Sequence, residues 1–129
     1  MLRVAITGLG AVSALGIGVP ALWDGLLAGR SGVRRITLFD PAALLIPIAA
    51  EVPDYDPAAH FPAKQLDLLD RFSQFALLAA GEALRDAGLD SASSFTDAER
   101  ERAGVALGDR KSTRLNSSHI QKSRMPSSA

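Results

Sequence analysis

The 129-residue sequence contains no cysteine. That excludes a disulfide framework, a cysteine-based metal site and a thiol nucleophile within this chain. Its two histidines, His60 and His119, stand far apart with no ligand-spaced neighbours, so a histidine-based metal site has no support. No Gly-Lys-Ser/Thr occurs, which removes a phosphate-cradling Walker loop. Ser13, Ser31 and Ser73 lack the Gly-x-Ser-x-Gly context of a strained nucleophile elbow. Long hydrophobic runs are also missing. Val4 to Trp23 carries no charge, and Arg3 precedes it, but Thr7, Gly8, Gly10, Ser13, Gly16, Gly18 and Pro20 interrupt it every few residues. A signal core or membrane span would be more continuous and richer in leucine. The expectation is a cytoplasmic protein with no membrane partner.

The net charge of zero conceals a division. Residues 1–109 hold nine basic and all fourteen acidic residues, a net charge of −5; residues 110–129 hold Arg110, Lys111, Arg114, Lys122 and Arg124 and no acid, a net charge of +5. The second segment has six serines and no apolar period, so no packed structure is predicted there. The segment lacks the aromatic residues that single-strand nucleic-acid binders place between their cations. The expected division is therefore a partial α/β domain over 1–109 and an unrelated, disordered basic tail over 110–129, with no nucleic-acid partner.

What the chain does have is a helix. From Leu66 to Leu89, Leu69, Phe72, Ala76, Ala79, Ala80, Ala83 and Ala87 recur at three- and four-residue steps, which places them on one helical face. The face is mostly alanine, so another backbone can come close. Leu66, Leu68, Phe75, Leu77, Leu78 and Leu84 extend the apolar surface around the axis, as in a helix buried between layers. Gly88 is the expected left-handed stop, with Leu89 as the hydrophobic residue beyond it.

Around that helix the remaining elements are shorter. Arg3–Thr7 reads as a buried strand followed by a tight turn at Gly8-Leu9-Gly10. Ala11–Gly18 reads as a small-residue loop. Residues 20–28 read as a helix, with Pro20 in its first turn and Gly29 as its stop. Ser31–Asp40 is a predicted connection, with Ile36, Leu38 and Phe39 tucked inward. Ile46–Val52 alternates as a half-buried strand, and Pro47 places it at a sheet edge. Pro53-Asp54-Tyr55-Asp56-Pro57 is a turn. Asp90–Glu101 is a predicted loop, and Ala103–Leu107 a second buried strand, parallel to the first. The result is an α/β skeleton with too few strands to cover its helix.

Chemistry is scarce in this skeleton. Gly8-Leu9-Gly10 matches two glycines of the dinucleotide fingerprint and misses the third, and the next helix begins about ten residues too late to receive a pyrophosphate. A close-packing turn is the preferred reading, with a nucleotide-binding α/β domain kept as a rival. His60 is predicted at the surface. Asp67 and Asp70 read as solvated or capping residues. Arg71 is expected either to snorkel at the helix edge or to pair with one of those acids.

Specific strings add to this. Arg3-Val4-Ala5-Ile6-Thr7-Gly8-Leu9-Gly10-Ala11-Val12-Ser13 with Leu15-Gly16, and Trp23 with Leu26-Leu27-Ala28-Gly29-Arg30-Ser31-Gly32-Val33, open the series. Phe39-Asp40, Ala50-Glu51-Val52 with Asp56-Pro57, and Asp70-Arg71-Phe72-Ser73-Gln74-Phe75-Ala76 follow. Glu82-Ala83-Leu84 with Asp86-Ala87-Gly88-Leu89, and Gly104-Val105-Ala106-Leu107-Gly108, complete it. In this order they resemble the amino-terminal region of β-ketoacyl-[acyl carrier protein] synthases, nearest the chain-elongating II-type branch. The resemblance implies the incomplete amino-terminal part of a thiolase-like fold. It implies a cysteine-dependent, decarboxylating Claisen condensation in fatty-acid or polyketide synthesis, without metal or organic cofactor, by a homodimer served by acyl carrier protein. The family's cysteine and histidines lie beyond the part matched here, so no catalytic residue is assigned. Lys64 matches a position at which the family contacts the carrier protein. A non-catalytic partner subunit resembling a chain-length factor is the second reading.

Overall fold

The computed structural model describes residues 3–89, 95–108 and 121–123. The chain divides into two units, residues 1–90 and 91–129.

In the first unit, β1 (Val12–Ser13) and β2 (Gly16–Ile17) form a small antiparallel hairpin. Thus the predicted small-residue loop contains a ladder. Ser13 Oγ donates to the Gly16 carbonyl at 3.3 Å and accepts from the Leu15 N–H at 3.2 Å, closing the turn locally. Helix α1 (Val19–Leu27) follows, with proline in its first turn. It ends at Gly29 (φ 62°), whose N–H bonds the Leu26 carbonyl while Arg30 N–H reaches Gly25. This is the paired-carbonyl stop that a left-handed glycine permits.

The predicted connection at Ser31–Asp40 contains β3 (Val33–Arg35), which pairs antiparallel with β4 (Ile48–Ala50). Ile36 is the buried hydrophobic residue of this region, whereas Leu38 and Phe39 are exposed rather than tucked inward. The Glu51 carboxylate fastens the exit of β3. It accepts from Thr37 N–H and Oγ1, both at 2.9 Å, and from Leu38 N–H at 3.3 Å. Asp56 caps a short 3-10 turn at Pro57–Ala59 through the Ala58 N–H.

The long helix predicted from Leu66 begins instead at Arg71. A separate short helix, α2 (Ala63–Leu66), precedes α3 (Arg71–Asp86), with a break at Asp67–Asp70 between them. Asp70 has extended backbone (ψ 155°) and stands at the N-cap of α3, though its side chain makes no capping bond. Its backbone resets the helix direction, consistent with the preference of aspartate for that position. At the far end the predicted stop is present: Gly88 (φ 72°) bonds Arg85 and Leu89 N–H bonds Leu84 at 2.8 Å.

Residues 3–7 form no strand, and Val4 and Ile6 are 95% and 83% exposed. A strand exists only through its ladder, and all ladders among the described residues are antiparallel. On α3, Phe72, Leu77 and Leu84 remain exposed and Gln74 is the buried residue. The expected burial between layers fails because, among the described residues, the only sheets are two-stranded ladders too small to cover the helix.

In the second unit, the predicted loop contains α4 (Asp97–Arg102). Thr96 and Glu99 form a reciprocal capping box, with Glu99 N–H bonding Thr96 Oγ1 and Thr96 N–H bonding Glu99 Oε2. β5 (Val105–Leu107), within the predicted second buried strand, pairs antiparallel with β6 (Gln121–Ser123) rather than parallel to the first stretch. The rest of the predicted tail lies outside the described residues.

Two measurements test this picture. The Thr37 N–H, foremost, holds the Glu51 carboxyl below the usual carboxylate range. A lowered value contributes stability present above the unfolded pKa and lost as pH falls through the folded one. Replacing Glu51 with Gln is expected to flatten the acid side of the melting-temperature profile between about pH 5 and 3. Exposed apolar residues are expected to make the chain bind the dye ANS; Ile6→Lys and Phe72→Lys each lower that fluorescence while helicity by circular dichroism stays.

Candidate functional site

The glycine turn and α3 make the best-defined constellation of the first unit. Gly8 and Gly10 lie directly on the α3 backbone. A methyl added at Gly10 would overlap the Ala79 carbonyl oxygen and fall 2.9 Å from Ala83 N; one at Gly8 would overlap the Ala83 oxygen and fall 2.8 Å from Ala87 N. The alanine stripe and the two glycines therefore explain each other: neither surface carries a side chain that would hold the backbones apart.

Two carboxylates on α3, one helical turn apart, fasten the segment lengthwise. Asp86 Oδ2 accepts from Leu9 N–H at 2.9 Å. Glu82 Oε2 accepts from Ala11 N–H at 2.9 Å and its Oε1 from Val19 N–H at 2.8 Å. One glutamate thus joins the turn, the first helix and α3. Hydrogen bonds to ionised acceptors are stronger than neutral ones. This arrangement also decides the nucleotide rival. A phosphate cradle needs free N–H groups; here they are directed at two carboxylates whose charge would repel a phosphate.

A second cluster surrounds the break between α2 and α3. The Tyr55 hydroxyl donates to Gln74 Oε1 at 2.6 Å, and Gln74 Nε2 donates to the Leu69 carbonyl at 2.8 Å. His60 stacks on Tyr55 with centroids 5.9 Å apart, and Phe75 meets the ring edge-on at 4.9 Å. The Arg71 guanidinium lies 5.0 Å from the Tyr55 centroid and 5.3 Å from that of Phe75. The Arg71 cation, at the exposed start of α3, sits over aromatic faces. Burial pushes the Tyr55 hydroxyl pKa up, and Arg71 opposes this. His60 is exposed, as predicted. His119 is outside the described residues.

Lys64, the predicted carrier contact, is exposed on α2. Asp67 ends α2 and Asp70 opens α3, so these acids flank the break and form no paired catalytic site. An open cleft of about 410 Å³ lies among Arg34, Glu51, Asp54, Tyr55 and Arg71. Its cations are engaged, Arg34 Nη2 by the Ala14 carbonyl at 2.8 Å and Arg71 by the rings. Neither cluster holds a nucleophile beside a base. Among the described residues no group of three or more metal-ligating side chains occurs, and no helix is long and apolar enough to cross a membrane.

The model of the family described as "Beta-ketoacyl synthase, N-terminal domain" matches residues 1–128. The chain belongs to the β-ketoacyl synthase family. It is 46% identical over 106 residues to 3-oxoacyl-[acyl-carrier-protein] synthase 2 of Coxiella burnetii, covering 82% of this chain and 25% of that protein. It is 43% identical over 107 residues to the tetracenomycin polyketide synthase ketoacyl synthase alpha subunit of Streptomyces glaucescens, covering 82% and 24%. A solved structure, the ishigamide ketosynthase/chain length factor, superposes with a TM-score of 0.56 at 45% identity, over 65% of this chain and 21% of that one. The chain thus spans about a quarter of the length of the curated relatives it matches. The fold is the partial amino-terminal domain of a thiolase-like ketosynthase, as the strings implied.

In this β-ketoacyl synthase segment the Gly8-Leu9-Gly10 string is a packing device, and Glu82 and Asp86 are its fasteners. Sequence reasoning gave those acids no role. The available signal was their four-residue spacing beside the alanine stripe.

Gly10→Ala is expected to cost about 1–3 kcal/mol through overpacking. Glu82→Ala is expected to cost about 2 kcal/mol through its two lost charged bonds. Hydrogen exchange should show both variants losing protection at the Leu9, Ala11 and Val19 amides. Gly104→Ala, where the new methyl meets nothing within 4 Å, should leave them unchanged. Titration with NAD or ATP should give no binding heat.

Proposed function

We propose that this chain is the amino-terminal part of a β-ketoacyl-[acyl carrier protein] synthase serving fatty-acid or polyketide synthesis. The observation that carries the proposal is the 46% identity to a 3-oxoacyl-[acyl-carrier-protein] synthase 2. In the full protein the reaction is a decarboxylating Claisen condensation. An acyl group is held as a thioester on a cysteine, malonyl carrier protein loses carbon dioxide, and the resulting carbanion attacks the thioester carbonyl, forming the carbon–carbon bond as the carbon–sulfur bond breaks and the cysteine thiolate leaves. This chain has no cysteine and therefore cannot carry the acyl intermediate. Its contribution is scaffolding and, at Lys64, one cation for the acidic carrier protein. The parent is a cytoplasmic homodimer needing no metal or organic cofactor.

A second reading has a specific support. The solved relative is a ketosynthase/chain length factor. A non-catalytic chain-length-setting subunit would have the same fold without the nucleophile. The residue at the nucleophile position of the complete protein separates the two: cysteine for the enzyme, another residue for the partner.

The purified 129-residue chain is expected to show no condensation turnover with acyl and malonyl carrier protein. Turnover above buffer would overturn the scaffolding role. In an NMR titration of isotopically labelled holo-acyl carrier protein, Lys64→Glu should weaken binding about three- to tenfold, the scale of one lost charge contact.

A further inference from the structure

We infer that Gln74 is a positioning residue for α2, the helix that presents Lys64. α2 has only four residues, Ala63–Leu66, too few to hold a helical turn by intrinsic propensity. Its geometry must be imposed from outside. The two chain segments flanking it, at Tyr55 and Leu69, converge on one side chain. Gln74 Oε1 accepts the Tyr55 hydroxyl at 2.6 Å and its Nε2 donates to the Leu69 carbonyl at 2.8 Å. Gln74 as a residue is 6% exposed, so losing either bond leaves a largely buried polar group short of a partner. Leu69 lies at the break, where Leu68 and Leu69 N–H both return to the Gln65 carbonyl at 3.1 and 3.0 Å.

Ring contacts stiffen the assembly. The Arg71 guanidinium lies over Tyr55 and Phe75, Phe75 meets Tyr55 edge-on, and His60 stacks on the Tyr55 ring. Tyr55 is thus held in plane while its hydroxyl reaches Gln74. The carboxamide is suited to this task because it presents an acceptor and a donor at once. A glutamate of nearly equal shape would keep the acceptor for Tyr55 and turn a second oxygen on the Leu69 carbonyl. The functional half of this inference rests on the reading of Lys64 as a carrier contact; the structural half does not.

The test uses the full 129-residue chain, with Gln74→Glu and Tyr55→Phe compared by peptide-resolved hydrogen exchange and by titration of labelled holo-acyl carrier protein. Exchange over 63–70 is expected to accelerate about tenfold in Gln74→Glu and less in Tyr55→Phe, while 75–86 stays within about twofold of the parent. Equal acceleration of 75–86, or no change over 63–70 in either variant, overturns the positioning role. Carrier affinity is expected to fall about threefold in Gln74→Glu although Lys64 is untouched. If Lys64→Glu weakens the carrier and Gln74→Glu does not, the functional half is overturned. If Lys64→Glu changes nothing, the carrier reading fails by itself and exchange still decides whether Gln74 sets α2.

Discussion

Two carboxylates on one helix hold the beginning of this chain in place. Glu82 and Asp86 collect the N–H groups of Leu9, Ala11 and Val19, while Gly8 and Gly10 rest on the backbone at Ala79, Ala83 and Ala87. The two halves of this contact need each other. Without the glycines the carboxylates could not reach main-chain donors at 2.8–2.9 Å; without the acids the close approach would strand those donors against a helix with no acceptors to spare. The β1–β2 hairpin and the start of α1 take their places from this seam, since Val19 opens α1 and shares Glu82 with the turn.

The same seam shows why the glycine string is a poor guide to ligand chemistry. A Gly-x-Gly turn after an apolar stretch signals only that a backbone must come close to something. In a dinucleotide site that something is a pyrophosphate, and the loop's N–H groups face an anion supplied from outside. In this member of the β-ketoacyl synthase family the anions are built in, four residues apart on α3. The local backbone requirement is identical in both cases, and only the position of two acids some seventy residues later separates them.

What could be read from the sequence was whatever depends on local spacing. The Gly88 stop, the α1 helix ending at Gly29, the Asp56 turn and the alanine stripe of α3 all follow from a few adjacent residues. The Thr96–Glu99 capping box was equally readable, as a threonine followed three residues later by glutamate, and the polarity of the stretch hid it. The break at Asp67–Asp70 was obscured because the apolar period runs through it without interruption; Asp70 is its trace. What could not be read depends on distant partners. β3 pairs with β4 through Val33–Arg35, which has no alternation to mark it, and Arg3–Thr7 has the composition of a strand but no ladder. Of the candidate site, the resemblance supplied Lys64 and the family. The hydrogen bonds of Gln74 and Glu82 could not be foreseen because a single glutamine or glutamate within an amphipathic helix has no period.

A final asymmetry concerns what is left unsatisfied. Among the described residues, every buried side-chain nitrogen and oxygen has a hydrogen-bond partner. Three polar side chains of the first unit are committed internally: Glu51 to Thr37 and Leu38, Gln74 to Tyr55 and Leu69, Glu82 to Ala11 and Val19. The apolar groups are not. Val4, Ile6, Leu68 and Phe72 are each at least 66% exposed. A binding or catalytic site normally has the reverse character, with polar groups held unpaired and waiting in an otherwise packed surround. Among the described residues the first unit shows the opposite balance, these polar groups paired and those apolar groups open, and that balance is what the scaffolding role proposed for it requires.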